Sequence, residues 1–137
     1  MNPVMPTFGT RNPARSYTPR ESVYAIITDA AGLFAAVSTP TGLWLPGGGL
    51  EPGETHESAL RRELHEECGA AAQLTPTSLR AIEFVDAGHE GHFEKRCQFF
   101  RATFLAPPAA PIHWLTRAQA AAQLKPAAHR WAVAQLP

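Results

Sequence analysis

Apolar and polar positions alternate with a period of two in the first third of the chain and again past its middle, and a helical period separates these two regions. Ser22 to Thr28 (SVYAIIT) is β-branched and aromatic, Asp29 to Gly32 carries turn residues, and LFAAVST follows as a second run, a pattern that predicts a hairpin. Pro40 to Gly42 marks another turn, and Leu43 to Leu45 a short strand entering a glycine-rich loop. Downstream, Leu79 to Val85 predicts a strand that ends in the turn DAGHEGH. Phe93 to Leu105 sets Phe93, Lys95, Cys97, Phe99, Arg101 and Thr103 against Glu94, Arg96, Gln98, Phe100, Ala102 and Phe104, and is long enough to predict a bulge. IHWL reads as a short strand, and Thr116 to Leu124 and Ala127 to Leu136 as helices broken near Lys125-Pro126. Residues 1–19, rich in Pro and Asn, read as a flexible or extended lead-in whose Tyr17 packs on the domain. Residues 20–137 then form a single α+β domain.

The helical period runs from about Glu57 to Cys68, with Thr55 placed to cap its start and Gly69 to end it in the left-handed conformation. At about 100° per residue, Leu60, Leu64 and Cys68 share one stripe, while Glu63, Glu66 and Glu67 share the adjoining arc. Carboxylates so close repel one another. A hard divalent cation such as Mg²⁺, which takes oxygen ligands and shares its shell with water and phosphate, would neutralise them. Arg62, four residues before Glu66, can hold one carboxylate in place. The competing reading is a solvated helix face, which would leave the preceding glycines and Glu54 as accidents of spacing.

Overall charge narrows the partners. With 12 basic and 12 acidic residues and no Lys/Arg run, polymeric nucleic acid and anionic membrane are disfavoured, and a polyphosphate would need a metal to hold it. The first residues lack an apolar targeting segment, so a cytoplasmic location is expected. Cys68 and Cys97 have no zinc-like spacing and read as buried reduced thiols. A homodimer is compatible with the sequence.

The segment LPGGGLEPGETHESALRRELHEECGA resembles the Nudix box, Gly-x5-Glu-x7-Arg-Glu-U-x-Glu-Glu-x-Gly-U, at Gly48, Glu54, Arg62, Glu63, Leu64, Glu66, Glu67, Gly69 and Ala70. All seven fixed residues are present, a match expected by chance on the order of once in 10⁸ starting points. Ala70 departs from the usual larger aliphatic residue. The resemblance implies a Nudix-type α/β/α sandwich with a mixed β-sheet and a metal-dependent hydrolase of a diphosphate bond.

Carried over by position, the resemblance implies that Glu63, Glu66 and Glu67 bind Mg²⁺ or Mn²⁺, with an oxygen from the Gly48 carbonyl. Glu63, Arg62 and Glu54 would be the catalytic residues. Arg62 would orient the carboxylates, and Glu54 would either reach the site or cap the helix. Members often draw another base or ligand from a later loop, where His89, Glu90, His92 and Glu94 are the candidates. Glu90, His92 and Phe84 are the candidate substrate-binding residues, and Trp44, Trp114 or Trp131 could stack on a base. The expected partner is a small diphosphate, first a nucleoside triphosphate as in small MutT-like enzymes. A sugar nucleotide or a non-nucleotide diphosphate is the alternative. The downstream Pro of the ADP-ribose type is absent, that position being Asp86, and no Tyr follows Tyr24 to suggest a dinucleotide polyphosphate. Two further readings are a non-catalytic ligand sensor, against which the complete set of carboxylates counts, and a diphosphate isomerase, for which Cys68 on the core stripe is poorly placed.

Overall fold

A computed structural model describes residues 5–137. The strands are β1 (Thr7–Phe8), β2 (Thr18–Ile27), β3 (Phe34–Thr39), β4 (Gly42–Trp44), β5 (Gly47–Gly49), β6 (Ala72–Asp86), β7 (His92–Phe104) and β8 (His113–Leu115). The helices are α1 (His56–Cys68), α2 (Arg117–Gln123) and α3 (Ala127–Ala134). Five strands form a mixed sheet in the order β1-β6-β7-β2-β5, and three form a smaller one, β4-β3-β8.

Because β2 is apolar on both faces, it lies inside the larger sheet, parallel to β7 from Thr18↔Phe93 to Ile27↔Ala102. Its alternate side chains serve two cores. Val23, Ala25 and Ile27 pack with Ala59, Leu60, Leu64 and Cys68 of α1, whereas Tyr24 and Ile26 pack with Ala120 of α2, with Leu124 at its end, and with Ala128, Ala132 and Val133 of α3. The sheet is thus sandwiched between α1 and the C-terminal helices. Leu60 and Leu64 are buried at 0% and 1% exposure, each contributing about 1.5–3 kcal/mol by burial.

The expected strand-turn-strand at Ser22 to Thr39 is not a paired hairpin. The turn forms, with the Asp29 N–H donating to the Leu33 carbonyl, but only the Thr28↔Phe34 bridge joins its arms. Both edges of β2 are already taken, by β7 and β5, so β3 leaves to pair with β4 and β8. The glycine loop is itself a strand, β5, antiparallel to Ser22–Tyr24. At Gly47, φ is 146° and a Cβ would run into the backbone of β2, so only glycine fits. The irregularity expected on β7 lies on its partner, where the β6 register shifts between Pro76 and Arg80; Pro76 has no N–H for the ladder.

The lead-in is tied down rather than flexible over the described residues. Thr7 and Phe8 pair with Ile82 and Glu83, and Tyr17 meets Phe84 edge-on at 5.1 Å. Residues 1–4 of the expected lead-in lie outside the described residues. Both cysteines are free and buried. Among the described residues no helix is long and apolar enough to cross a membrane.

Candidate active site

Helix α1 presents its acidic arc to β5 because both of its ends are fixed. Thr55 and Ser58 form a reciprocal capping box, and Gly69 closes the helix at φ 63°, its N–H donating to the His65 carbonyl. Thr55 and Ser58 make the side-chain cap, so Glu54 does not take the capping role left open for it. Its Oε1 instead accepts from the Glu51 N–H at 2.7 Å.

Arg62 is the hub of the carboxylates. Its Nε and Nη2 donate to the two Glu54 oxygens at 2.8 and 2.9 Å, a bidentate pair of the strong kind. Nη1 donates to Glu63 at 3.0 Å and to Glu66 at 3.4 Å, and Nη2 also reaches the Gly49 carbonyl at 3.2 Å. The sequence pointed to Glu66 as the Arg62 partner, but the closer contacts are with Glu54 and Glu63. The Arg62 hydrogen bonds hold the Glu54 pKa down at about 2, and Glu54 in turn raises that of Arg62.

Glu67 lies apart from the clamp, with Oε1 accepting from the Gly47 N–H at 2.8 Å. Burial pushes its pKa up to about 7 against that hydrogen bond, and repulsion from Glu63 and Glu66 adds to the rise. Glu63 is also raised, again chiefly by burial. A Cβ on Gly48 would lie 2.6 Å from Glu63 Oε1. The absence of a side chain there lets the carboxylate reach β5.

These donors fit a divalent cation chemically: several carboxylates and a strand of carbonyls, all hard oxygen, held at high negative charge density. They are not gathered as a finished ligand shell. Among the described residues no three acidic, His or Cys side chains converge as a metal-binding group, since Glu63 and Glu66 turn to Arg62 and Glu67 to Gly47.

The other candidates scatter. Glu90, in a short 3-10 turn (Gly88–Glu90), lines a cavity of about 410 Å³ that runs along Gly47–Gly49 and Glu67. Phe84 borders a neighbouring cavity of about 350 Å³ that ends at Pro126 and His129, with its ring against Tyr17. His92 is turned away, pairing with Asp86 and lying 3.1 Å from Arg15 Nη1. His89 and Glu94 line neither cavity. Trp44 lines both, while Trp131 packs on Phe8 and Phe99 and Trp114 on Phe104.

Lys95 and Ser22, which also line the cavity along β5, were not singled out by the sequence reading. A signal for Lys95 exists: it is a cation set between Phe93 and Cys97, with Phe99 beyond, on one side of β7.

A family model described as NUDIX domain matches residues 18–133. The chain is 60% identical over 35 residues to the nucleoside triphosphatase NudI of Enterobacter sp. (strain 638), covering 25% of each chain. To the nucleoside triphosphatase NudI of Klebsiella pneumoniae it is 45% identical over 56 residues, 39% of this chain and 40% of that one. The aligned parts thus span between a quarter and two fifths of these curated relatives. Among solved structures, the E. coli dihydroneopterin triphosphate pyrophosphohydrolase superposes with a TM-score of 0.72 at 18% identity, covering 88% of this chain and 97% of that one. A MutT NUDIX hydrolase from Burkholderia pseudomallei superposes at 0.68 and 24% identity, covering 88% and 99%. With the family model spanning most of the chain and the complete box on α1 and β5, the protein belongs to the Nudix hydrolase family.

Proposed function

We propose that the protein hydrolyses a phosphoanhydride bond of a nucleoside triphosphate, with Mg²⁺ or Mn²⁺ held by Glu63, Glu66, Glu67 and the Gly48 carbonyl. The observation that carries this reading is the placement of Glu67 and the β5 glycines along one cavity that shares Trp44 and Lys95 with a neighbouring cavity reaching His129. Charge is handled at one end and an organic group at the other. A bound divalent cation supplies neutralisation of the phosphate oxygens and a more acidic water. Arg62 keeps Glu54 ionised and steers Glu63 and Glu66, so that positions and charges are set before substrate arrives. Glu63, held by Arg62 at 3.0 Å, is the proposed base that takes the proton of the attacking water. The NudI relatives, named nucleoside triphosphatases, support the choice of substrate class.

The test is a panel of nucleoside triphosphates, sugar nucleotides and non-nucleotide diphosphates with Mg²⁺ and with Mn²⁺, scored for phosphate and pyrophosphate separately. Turnover of triphosphates above the others is expected. Preferred turnover of a sugar nucleotide would replace the substrate while keeping the class, and activity that survives exhaustive chelation would overturn the metal assignment.

A further inference from the structure

Lys95 is a cation brought into the cleft with no ion pair of its own among the described residues, although the facing Glu83 favours its charge from a longer distance. In the sheet it sits between Glu83 on β6 and Arg20 on β2. Glu83 is committed elsewhere, its oxygens accepting from the Ala128 and Ala127 N–H groups at the start of α3, both at 3.2 Å. Arg20 stacks over the Phe93 ring at 4.3 Å. The Lys95 ammonium lies 4.5 Å from the centroid of the Trp44 ring, and it makes no hydrogen bond or ion pair among the described residues. Burial disfavours its charged form.

Across the same cavity is a second unsatisfied group. Ser22 is 1% exposed, and its hydroxyl, although near the Tyr24 phenol, whose pKa burial raises and Ser22 only partly opposes, completes no hydrogen bond. A buried hydroxyl without a partner is destabilising. A lysine that only snorkelled over Trp44 would not account for the Ser22 orphan. Both groups line the cavity along β5, and Lys95 and Trp44 also line the one ending at His129. A ligand that reached from one to the other would pass Lys95, which lines both.

Resting on the nucleotide reading above, we propose that Lys95 and the Ser22 hydroxyl receive the phosphate nearest the substrate's organic group, making Lys95 a specificity-determining residue outside the Nudix box. The box carboxylates act on the anhydride next to that phosphate, and Lys95 selects substrates that carry an anionic group where the two cavities meet. Methionine keeps the length and the contact with Trp44 while deleting the charge, and arginine restores the charge.

Calorimetric binding with Mg²⁺ present, for the wild type, Lys95→Met and Lys95→Arg, uses three probes: an α,β-methylene nucleoside triphosphate, the parent nucleoside, and inorganic tripolyphosphate. Lys95→Met is expected to weaken the triphosphate analogue by about tenfold or more. It should leave the nucleoside and the Mg²⁺ affinity unchanged and raise KM with little effect on kcat. Lys95→Arg is expected to recover most of the loss. An equal loss for the nucleoside, or no loss for the analogue, overturns the proposal. Tripolyphosphate separates the two readings: Lys95-dependent binding of it by a protein that takes no nucleotide removes the nucleotide and keeps the anion subsite. Unchanged polyphosphate and analogue affinity in Lys95→Met removes the subsite and leaves the nucleotide reading intact.

Discussion

Glu54 and Arg62 face each other as a two-pronged pair, with Nε and Nη2 of the guanidinium at 2.8 and 2.9 Å from the two carboxylate oxygens. One side chain comes from a turn and the other from the second turn of α1, so the pair ties the entry loop to the helix that carries the acidic arc. Because Arg62 also donates to Glu63 and Glu66, whatever displaces it disturbs every carboxylate on that side.

Arg62→Lys should therefore be far from conservative. An ammonium cannot reproduce the fork or serve Glu54, Glu63 and the Gly49 carbonyl at once. We expect kcat to fall by about 10²-fold, with the fold retained, as measured by steady-state kinetics and circular dichroism. Wild-type rates in the variant would mean that the clamp has no part in positioning.

Glu67 should make the metal-free protein less stable as pH rises. Its folded pKa, about 7, lies above the ordinary carboxylate value of 4.5. The contribution is fully present below about pH 4.5 and is lost as pH rises through about 7. Glu67→Gln keeps an oxygen for the Gly47 N–H and deletes the charge. In chelator at pH 8 the variant should melt about 2–5 °C above wild type, yet lose far more activity than Glu54→Gln. Identical melting curves from pH 5 to 8 would contradict the prediction.

The base assignment is tested by Glu63→Gln, His89→Ala and His92→Ala. His92 is engaged by Asp86 and lies beside Arg15, and His89 lines neither cavity. We expect Glu63→Gln to lower kcat by several orders of magnitude, and each histidine variant by less than about tenfold, below what a general base supplies. Metal affinity measured in parallel separates lost ligation from lost proton transfer. A drop of about 10²-fold in a histidine variant with metal affinity intact would move the base to the loop.

Gly48→Ala should fold and yet bind metal poorly. An added Cβ would meet the Glu63 carboxylate, with Oε1 at 2.6 Å. Since that group ends a flexible side chain, it can swing aside at little cost to the fold. A melting temperature within about 3 °C of wild type and a metal affinity lower by about tenfold are the expected results of calorimetry. Unchanged affinity would show that Glu63 does not need its place against β5.

His129 gives the protein an acid limit of its own. It is 1% exposed, its Nδ1 accepts from the Leu45 N–H at 3.1 Å, and burial holds its pKa well below 6.5. A depressed histidine contributes stability that is present above pH 6.5 and is lost as pH falls below it. This slope opposes that of Glu67. In a Glu67→Gln background the melting temperature should therefore fall steadily on acidification from pH 7 to 5, and His129→Gln should flatten the fall.

The sequence by itself determined the helix and its chemistry. Thr55, Gly69, the Leu60-Leu64-Cys68 stripe and the Glu63-Glu66-Glu67 arc are local features, set by a period of 3.6 residues and by cap chemistry acting within a few positions. The box residues could be read for the same reason: their spacing is a property of one loop and one helix. Strand partners could not be read so, since β2 is apolar on both faces and alternation alone does not say which of its neighbours occupies which edge. With β7 and β5 on both edges of β2, β3 pairs in the second sheet instead. The same holds for the cleft. Ser22, Trp44 and Lys95 come from β2, β4 and β7, and nothing in their spacing along the chain brings them to one cavity. Tertiary packing decided that, by setting a half-buried ammonium over the Trp44 ring and a buried hydroxyl without a hydrogen-bond partner along one cavity.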